Sequence, residues 1–255
     1  MNAKLETSLR MTLAEALDPV RFALRLEIEP DSWQAEVLRS QHDRIILNCC
    51  RQAGKSTIAG ILALHTALYH APSLVLLLSP SMRQSSELFR KVSGLYRRAT
   101  GSPPAAESAL RMELPNGSRI ISLPGKETTI RGYSRVALLV IDEASRVDDA
   151  LHEAVRPMLA ISGGRLALLS TPFGQRGFFY ETWQGAGVGW LKVKVTANGC
   201  PRIPEDFLLQ ERKELGEWVF DQEYMAEFRE NQAAVFGHAD IQKAVSGEVV
   251  EQWQI

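Results

Sequence analysis

Short, mostly apolar segments that alternate with longer helical patterns constrain the fold of this chain more than any other sequence feature. Leu74 to Ser79, Ala137 to Ile141 and Leu166 to Leu169 lack the polar alternation of a strand with one face in water. Strands of this kind are covered by helices on both faces, as in parallel sheets. The sequence therefore predicts an α/β fold with a mainly parallel central sheet flanked by helices.

The order of the predicted elements follows the same alternation. A first strand at Arg44 to Asn48 precedes a helix over Thr57 to His70, which is rich in Ala, Leu and Ile. A second helix, Ser81 to Arg98, follows the strand that Pro80 ends. Each strand is thus followed by a helical crossover, as parallel pairing requires.

Two further regions depart from this alternation. Arg111 to Leu114 and Arg119 to Leu123 flank the turn Pro115 to Ser118, so we predict a β-hairpin and interpret it as an insertion between core units. Near the end of the chain, Pro204 to Gly216 and Glu217 to Arg229 have the pattern of helices. We therefore divide the chain into a core with an N-terminal helical segment (1–195), a small helical C-terminal subdomain (196–235) and a linker or tail (236–255).

Composition narrows the class of protein. With 255 residues, 45% of them hydrophobic, the chain can bury a core without metal or disulfide support. A net charge of -1 argues against a globally basic polyanion binder, although a local basic face can still contact phosphates. Cys49, Cys50 and Cys200 form no Cys-x-x-Cys pair or Cys/His cluster, so neither a disulfide framework nor a zinc site is expected. Without a signal sequence or an apolar run long enough for a membrane span, the sequence favours a reducing cytoplasm.

A phosphate-binding loop is the most specific motif. Gly54, Lys55 and Ser56 lie between the first predicted strand and its helix, the context in which such a turn binds phosphate. Backbone N–H groups would point at the β- and γ-phosphates of a nucleotide, Lys55 would neutralise charge, and Ser56 Oγ would ligate Mg²⁺. The usual pattern has glycine where this chain has Cys49, and a plain helix cap is the alternative. The predicted nucleotide-binding residues of the loop are Arg51, Gln52, Ala53, Gly54, Lys55, Ser56 and Thr57.

Two carboxylates, Asp142 and Glu143, follow the apolar strand that begins near Ala137. Open α/β sheets bind their ligands at the carboxyl ends of strands. Asp142 would hold Mg²⁺ through water, and Glu143 would act as the base that polarises the attacking water. A cap of the next helix is the alternative. Because the pair follows a phosphate loop in the expected order, the sequence favours a P-loop ATPase that uses ATP and Mg²⁺, with Lys55 and Glu143 as catalytic residues.

The next predicted strand ends in Ser170, Thr171 and Pro172. Its two hydroxyls would lie beside the γ-phosphate position, where such a segment can sense the phosphate and relay its loss. An ordinary strand-ending turn is an equal alternative. We predict a coupling role for Ser170 and Thr171.

Taken together, these segments resemble the ATPase domain of the large terminase subunit of tailed bacteriophages, the motor that pumps DNA into a procapsid. No single piece is decisive, but the ordered set is specific. The matching pieces are Trp33-Gln34, Cys50 to Ser56, Ile130 to Gly132, Leu139 to Ala144, Ser170 to Pro172, Phe220 to Tyr224 and Glu227-Phe228.

The resemblance implies roles for three further residues. Arg51 would contact the nucleotide phosphates, and Gln34 would recognise adenine. Arg131 looks like the catalytic finger that one subunit supplies to its neighbour's ATP. A solvated Arg131 and a Gln34 on a helix surface are the alternatives, since neither position is fixed by spacing.

The resemblance also implies partners and a location. These are double-stranded DNA, a homo-oligomeric ring assembled on a portal, and a small terminase subunit, in the cytoplasm of a bacterial host cell and without a membrane. Complete large terminases carry a second, metal-dependent nuclease domain. Only Asn231 to Ile255 follows the matched helix here, which is too short for that domain's sheet and carboxylate cluster. We therefore expect ATPase but no nuclease activity from this chain.

A basic strip is the candidate DNA-binding surface. Arginines recur every seven residues on the second predicted helix, at Arg83, Arg90 and Arg97, with Lys91 nearby. Such a strip would track the phosphate backbone and not the base sequence. An ordinary solvated helix face is an equal alternative. The predicted DNA-binding residues are Arg90, Arg97, Arg98, Arg111 and Arg119.

Two other functions compete with a DNA-packaging motor. A helicase-like or other oligomeric P-loop ATPase acting on nucleic acid would share Lys55, Asp142 and Glu143 but would couple hydrolysis to strand separation. A regulatory nucleotide switch, or an inactive remnant, would bind ATP without turnover. The intact phosphate loop and acidic pair speak against that second function.

Overall fold

A single eight-stranded sheet forms the centre of the computed structural model, which describes residues 12–125, 132–185 and 189–230. Its order is β3-β4-β5-β2-β6-β7-β1-β8, and the six strands from β5 to β8 in this order pair in parallel. The predicted α/β fold with a mainly parallel sheet is confirmed. The strands are β1 (Arg44–Cys49), β2 (Leu74–Ser79), β3 (Ala106–Glu107), β4 (Arg111–Glu113), β5 (Arg119–Pro124), β6 (Val136–Asp142), β7 (Arg165–Ser170) and β8 (Trp190–Val195).

Helices cover both faces of this sheet. The described helices are α1 (12–17), α2 (Pro19–Arg25), α3 (Ser32–Arg39), α4 (Lys55–Tyr69), α5 (Met82–Thr100), α6 (Asp149–Val155), α7 (Gly177–Gln184) and α8 (Glu205–Glu223). Short 3₁₀ helices lie at Ala144–Arg146, Arg156–Leu159 and Ala197–Gly199. In the described part of the chain, no helix combines the length and the apolar character that crossing a membrane requires.

The interiors of the central strands are apolar because each face of the sheet packs into its own core. In β2, Val75 and Leu77 pack with residues of α2 to α5 and α8, whereas Leu76 and Leu78 pack with residues of α6 and α7. Successive side chains point to opposite faces, so both sets of positions must be hydrophobic. This double burial is the reason that the strand pattern could be read from the sequence.

The predicted hairpin exists, but its interpretation as an insertion is wrong. Strands β4 and β5 pair antiparallel, with Arg111 opposite Ile121. However, β5 also pairs in parallel with β2, with Leu74 opposite Arg119, and so belongs to the central sheet. The burial of Ile120 and Ile121 on its two faces is what places β5 inside the sheet.

The C-terminal helices also differ from the prediction. Helix α8 spans Glu205–Glu223 with a non-helical residue at Gly216, so the predicted break is present, but the helix ends six residues before Arg229. It ends there because the following backbone bonds to the core: Ala197 N donates to Tyr224 O (2.7 Å), and Ala226 has a positive φ of 53°. Leu208, Phe220 and Tyr224 pack in the same core as β1. The predicted domain division stays a prediction.

Candidate functional site

The phosphate-binding loop connects the end of β1 to the start of α4, as the sequence predicts. Gln52 and Gly54 have positive φ angles of 58° and 91°, which turn the chain tightly around the helix N-terminus. Position 54 favours glycine because residues with a side chain rarely adopt its φ, and a Cβ atom there would lie 2.7 Å from Gln34 Nε2. The loop therefore presents the N–H groups of a fifteen-residue helix to an anion.

Lys55 is the buried cation of this loop. Its side chain donates from Nζ to Cys50 O (3.0 Å) and to Thr171 Oγ1 (2.9 Å), and the residue is only 7% exposed. An ammonium group has three donors, so one remains for a phosphate oxygen. The contact also brings Thr171 into the site from the end of β7.

Ser56 and Asp142, the two residues predicted to hold Mg²⁺, meet across the loop. Ser56 Oγ donates to Asp142 Oδ2 (3.1 Å), and the backbone N–H of Glu143 donates to Asp142 Oδ1 (3.1 Å). Burial, reinforced by the neighbouring Glu143 carboxylate, raises the pKa of Asp142 to about 6. A desolvated carboxylate short of positive charge is a fit partner for a divalent cation with oxygen ligands.

Glu143 begins the turn after β6 and faces an open cavity. Its φ angle of 52° is unusual for a residue with a side chain. The cavity, of about 590 Å³, has two sets of lining residues. One set is Ser56, Asp142 and Glu143; the other comes from α5 and the residue before it, namely Ser81, Arg83, Gln84, Glu87, Leu88 and Lys91.

The α5 side of this cavity was missed as part of the site, because Arg83 was counted with the basic strip. Arg83 lines the cavity, and its side chain has no hydrogen bond or ion pair with the described residues. Lys91 Nζ approaches Thr57 Oγ1 at 3.4 Å. Its place in the sequence could have identified it, because Arg83 follows the carboxyl end of a parallel strand, where ligands of such sheets bind.

Ser170 and Thr171 have separate contacts. Ser170 Oγ lies 2.7 Å from Ser145 Oγ in the 3₁₀ helix that follows Glu143, whereas Thr171 Oγ1 accepts from Lys55. The end of β7 is therefore hydrogen-bonded both to the phosphate loop and to the segment after the acidic pair. This arrangement is suited to the predicted coupling role.

Gln34 lies against the phosphate loop and not on a helix surface. It is 4% exposed; its Oε1 accepts from Asp31 N (3.0 Å) and its Nε2 donates to Ala53 O (3.1 Å). Arg202 completes the cluster, since its two terminal nitrogens each lie 2.7 Å from a carboxylate oxygen of Asp31. No local pattern marks Arg202, which reaches Asp31 only through the folding of the chain.

Arg51 contacts a carboxylate of the chain itself. Its Nε lies 2.7 Å from Glu223 Oε2, while 66% of the Arg51 side chain is exposed. Arg131 lies outside the described residues, so its predicted position is not tested by this structure.

The predicted basic strip is only partly available to DNA. Arg90 forms an ion pair with Glu87 (2.7 Å), Arg97 forms one with Glu107 (2.5 Å), and Arg98 donates to Leu26 O (2.8 Å). Arg111 and Arg119 begin β4 and β5. Two of the five cations of α5, Arg90 and Arg97, are thus already paired with acidic residues of the chain.

The fold and the strand–loop–helix at Lys55 define a P-loop nucleoside triphosphatase. Residues 46–243 match the family described as terminase large subunit, T4likevirus-type, N-terminal. The chain belongs to this family, which confirms the resemblance seen in the sequence.

Curated relatives and solved structures agree with this assignment. The large terminase subunits of Thermus virus P23-45 and Thermus phage G20c are each 25% identical over 258 residues, covering 87% of this chain and 53% of each relative. The chain thus spans about half the length of these relatives. The large terminase ATPase domain of Thermus phage P74-26 superposes with a TM-score of 0.72 at 20% identity, covering 82% of this chain and 98% of that one. The ADP complex of the bacteriophage D6E large terminase gives 0.63 at 14% identity, covering 78% and 54%. At these identities the structural likeness shows the shared fold.

Proposed function

We propose that this chain is the ATP-hydrolysing motor domain of a viral DNA-packaging terminase, which couples ATP hydrolysis to translocation of double-stranded DNA into a procapsid. The observation that carries the proposal is the contact between Ser56 Oγ and Asp142 Oδ2, which joins the phosphate loop to the acidic strand end at 3.1 Å. Family membership supports the motor function. The ADP and ATP-γ-S complexes of the D6E terminase support ATP as the nucleotide.

Each site residue has a role in this reaction. Ser56 and Asp142 would hold Mg²⁺, which neutralises charge on the β- and γ-phosphates when bound. Lys55 directs its remaining donor to a phosphate oxygen, and Glu143 takes a proton from the attacking water. Gln34 recognises adenine and Arg51 contacts the phosphates. Ser170 and Thr171 relay phosphate loss to the rest of the chain.

Glu143→Gln tests the assignment of the base. The amide cannot accept the water's proton, so turnover should fall about 100-fold or more, whereas Mg-ATP binding should persist because Lys55 and Asp142 are unchanged. Phosphate release and a fluorescent-nucleotide titration measure the two quantities. Loss of binding together with turnover would contradict the role of Glu143 as base.

The proposed DNA surface is tested on α5. Replacing Arg90 and Arg97 with Glu should weaken binding to duplexes of every sequence and flatten the salt dependence, because fewer phosphate contacts release fewer counterions. Basal ATP hydrolysis should not change. The control is Arg212→Glu, which breaks a comparable exposed ion pair with Glu217 on α8. If DNA affinity is unchanged in the double variant, the strip is an ordinary solvated face.

The partners and the limits of activity also belong to this proposal. We propose assembly as a homo-oligomeric ring on a portal, cooperation with a small terminase subunit, location in the bacterial host cytoplasm and no nuclease activity from this chain. The alternative is a helicase-like ATPase. ATPase activity stimulated by double-stranded DNA without strand separation favours the packaging motor, and strand separation favours the helicase.

A further inference from the structure

Cys50 and Cys200 bring two thiols together beside the phosphate loop. Cys50 lies between the end of β1 and Arg51, and Cys200 follows the 3₁₀ helix Ala197–Gly199. Their Sγ atoms are 3.7 Å apart, within reach of a hydrogen bond, although 150 residues separate them in sequence. Both residues are buried, with exposed fractions of 0% and 2%. The pair is created by the fold and not by a local Cys-x-x-Cys motif.

The cysteines of this region differ in reactivity. The hydrogen bond from the Cys50 thiol lowers the pKa of Cys200, and Arg202 acts in the same direction. The same bond, reinforced by burial, raises the pKa of Cys50. Burial raises the pKa of Cys49 to about 12, so that neighbour stays a thiol. Cys200 is therefore the best nucleophile of the three, because the thiolate is the reactive form of cysteine.

The backbone on each side of the pair belongs to the nucleotide site. Cys50 O accepts from Lys55 Nζ (3.0 Å). Two residues after Cys200, Arg202 Nη2 donates to Ala53 O in the phosphate loop (3.2 Å). A covalent bond between the two sulfurs would therefore join the loop to the turn that packs against it.

We propose that Cys50 and Cys200 form a reversible disulfide under oxidising conditions and that this bond lowers the affinity of the phosphate loop for nucleotide. The effect on nucleotide rests on the proposed function, whereas formation of the bond does not. A disulfide is about 2.05 Å long, so the two sulfurs must approach each other by about 1.6 Å. Because Lys55 Nζ is bonded to the Cys50 carbonyl, a shift of Cys50 moves the buried ammonium away from the phosphate position. In a reducing cytoplasm such a bond is transient, as is usual for cysteines that sense oxidants.

A peroxide can supply the oxidation. The Cys200 thiolate attacks one oxygen of hydrogen peroxide: an S–O bond forms, the O–O bond breaks, and the departing hydroxide takes up the proton that Cys200 had released. The Cys50 sulfur then attacks the sulfur of this sulfenic acid: the S–S bond forms, the S–O bond breaks, and the second hydroxide leaves with the Cys50 proton as water. Two thiols become one disulfide, and the peroxide is reduced to two molecules of water. Because both sulfurs are buried, the reaction requires local opening of the turn at Cys200.

Peptide mapping tests formation of the bond. The chain is treated with hydrogen peroxide, remaining thiols are alkylated, and a tryptic digest is analysed by mass spectrometry. Peptides 45–51 and 195–202 should appear as a linked pair that dithiothreitol separates. Peptide 45–51 holds both Cys49 and Cys50, so Cys49→Ser is the matched control and should still give the linked pair. Cys200→Ser should not give it.

Nucleotide binding tests the consequence of the bond. The dissociation constant of a fluorescent, ribose-labelled ATP analogue is measured with Mg²⁺ before and after peroxide treatment. Oxidation should weaken binding at least about fivefold in the wild type and in Cys49→Ser, and dithiothreitol should restore it. Cys200→Ser should bind like the reduced wild type under both conditions. Thermal melts check that the variants are folded, and Cys200→Ala replaces the serine variant if a buried hydroxyl is not tolerated.

Three results would contradict the inference. Absence of the linked peptides from folded, peroxide-treated protein would show that the two thiols only fill the core. Linked peptides with unchanged affinity would show a bond that does not control the site, and equal weakening in Cys200→Ser would assign the effect to another oxidised residue. If the reduced wild type does not bind Mg-ATP, the proposed function fails, and the peptide map still decides whether the disulfide forms.

Discussion

Lys55→Ala should lower ATP turnover by at least about a thousandfold, because charge that develops on the phosphates then has no buried ammonium beside it. The structure adds a second effect. Lys55 Nζ also donates to Cys50 O and Thr171 Oγ1, so its loss removes the direct tie between the phosphate loop and the end of β7. Phosphate release at saturating Mg-ATP measures the first effect, and nucleotide affinity should weaken as well.

The control for Lys55 is Lys194→Ala, which removes a lysine of β8 that pairs with Glu227. That variant should hydrolyse ATP like the wild type, and both variants should be compared for secondary structure and thermal unfolding. Hydrolysis at the wild-type rate by a folded Lys55→Ala protein would remove the assignment of the phosphate site.

Arg131→Ala should lower the turnover of the assembled protein by about 10³ to 10⁵, the usual worth of an arginine delivered to a neighbour's transition state. Lys55 and Mg²⁺ would neutralise only part of the negative charge that develops on the γ-phosphate oxygens. A further cation can stabilise the rest. In sequence, Arg131 comes after β5 and before β6. We predict that it reaches outward without disturbing the core.

Mixing variants decides whether Arg131 acts in trans. Arg131→Ala and Glu143→Gln proteins should each be inactive alone, but a mixture should recover some turnover where an intact Glu143 site meets an intact Arg131 donor. Light scattering establishes that mixed assemblies form. Mixed assemblies without recovery, or an Arg131→Ala protein as active as wild type when assembled, would mean that another arginine or none serves as the finger.

Local sequence was sufficient for the elements that carry the phosphate loop and the acidic pair. Strand β2 was predicted with its observed bounds, Leu74–Ser79, because both faces are apolar and Pro80 ends it. The loop before α4 and the carboxylates after β6 could be placed because parallel strands end at the same edge of a sheet. Chain order and strand periodicity are therefore enough to predict that Lys55 and Asp142 lie at the same edge of the sheet.

Features that depend on the path of the chain could not be predicted. Strand β8 is polar at Lys192 and Lys194, as suits a strand at an edge, and it lacks the apolar run that identified β1, β2, β6 and β7. The insertion of β5 beside β2 and the contact of Glu223 with Arg51 join segments far apart in sequence. Such pairings are set by packing and leave no local periodicity.

The two outer strands of the sheet limit how copies of this domain can pair with one another. Strand β3 has only two residues. Strand β8 carries two lysines: Lys192 Nζ donates to Trp183 O and Gly185 O, and Lys194 pairs with Glu227. Short strands and charged side chains prevent an edge from serving as a template for another chain's strand. In the proposed ring, subunits held at high local concentration would therefore associate through helices and loops and not by pairing of their sheets.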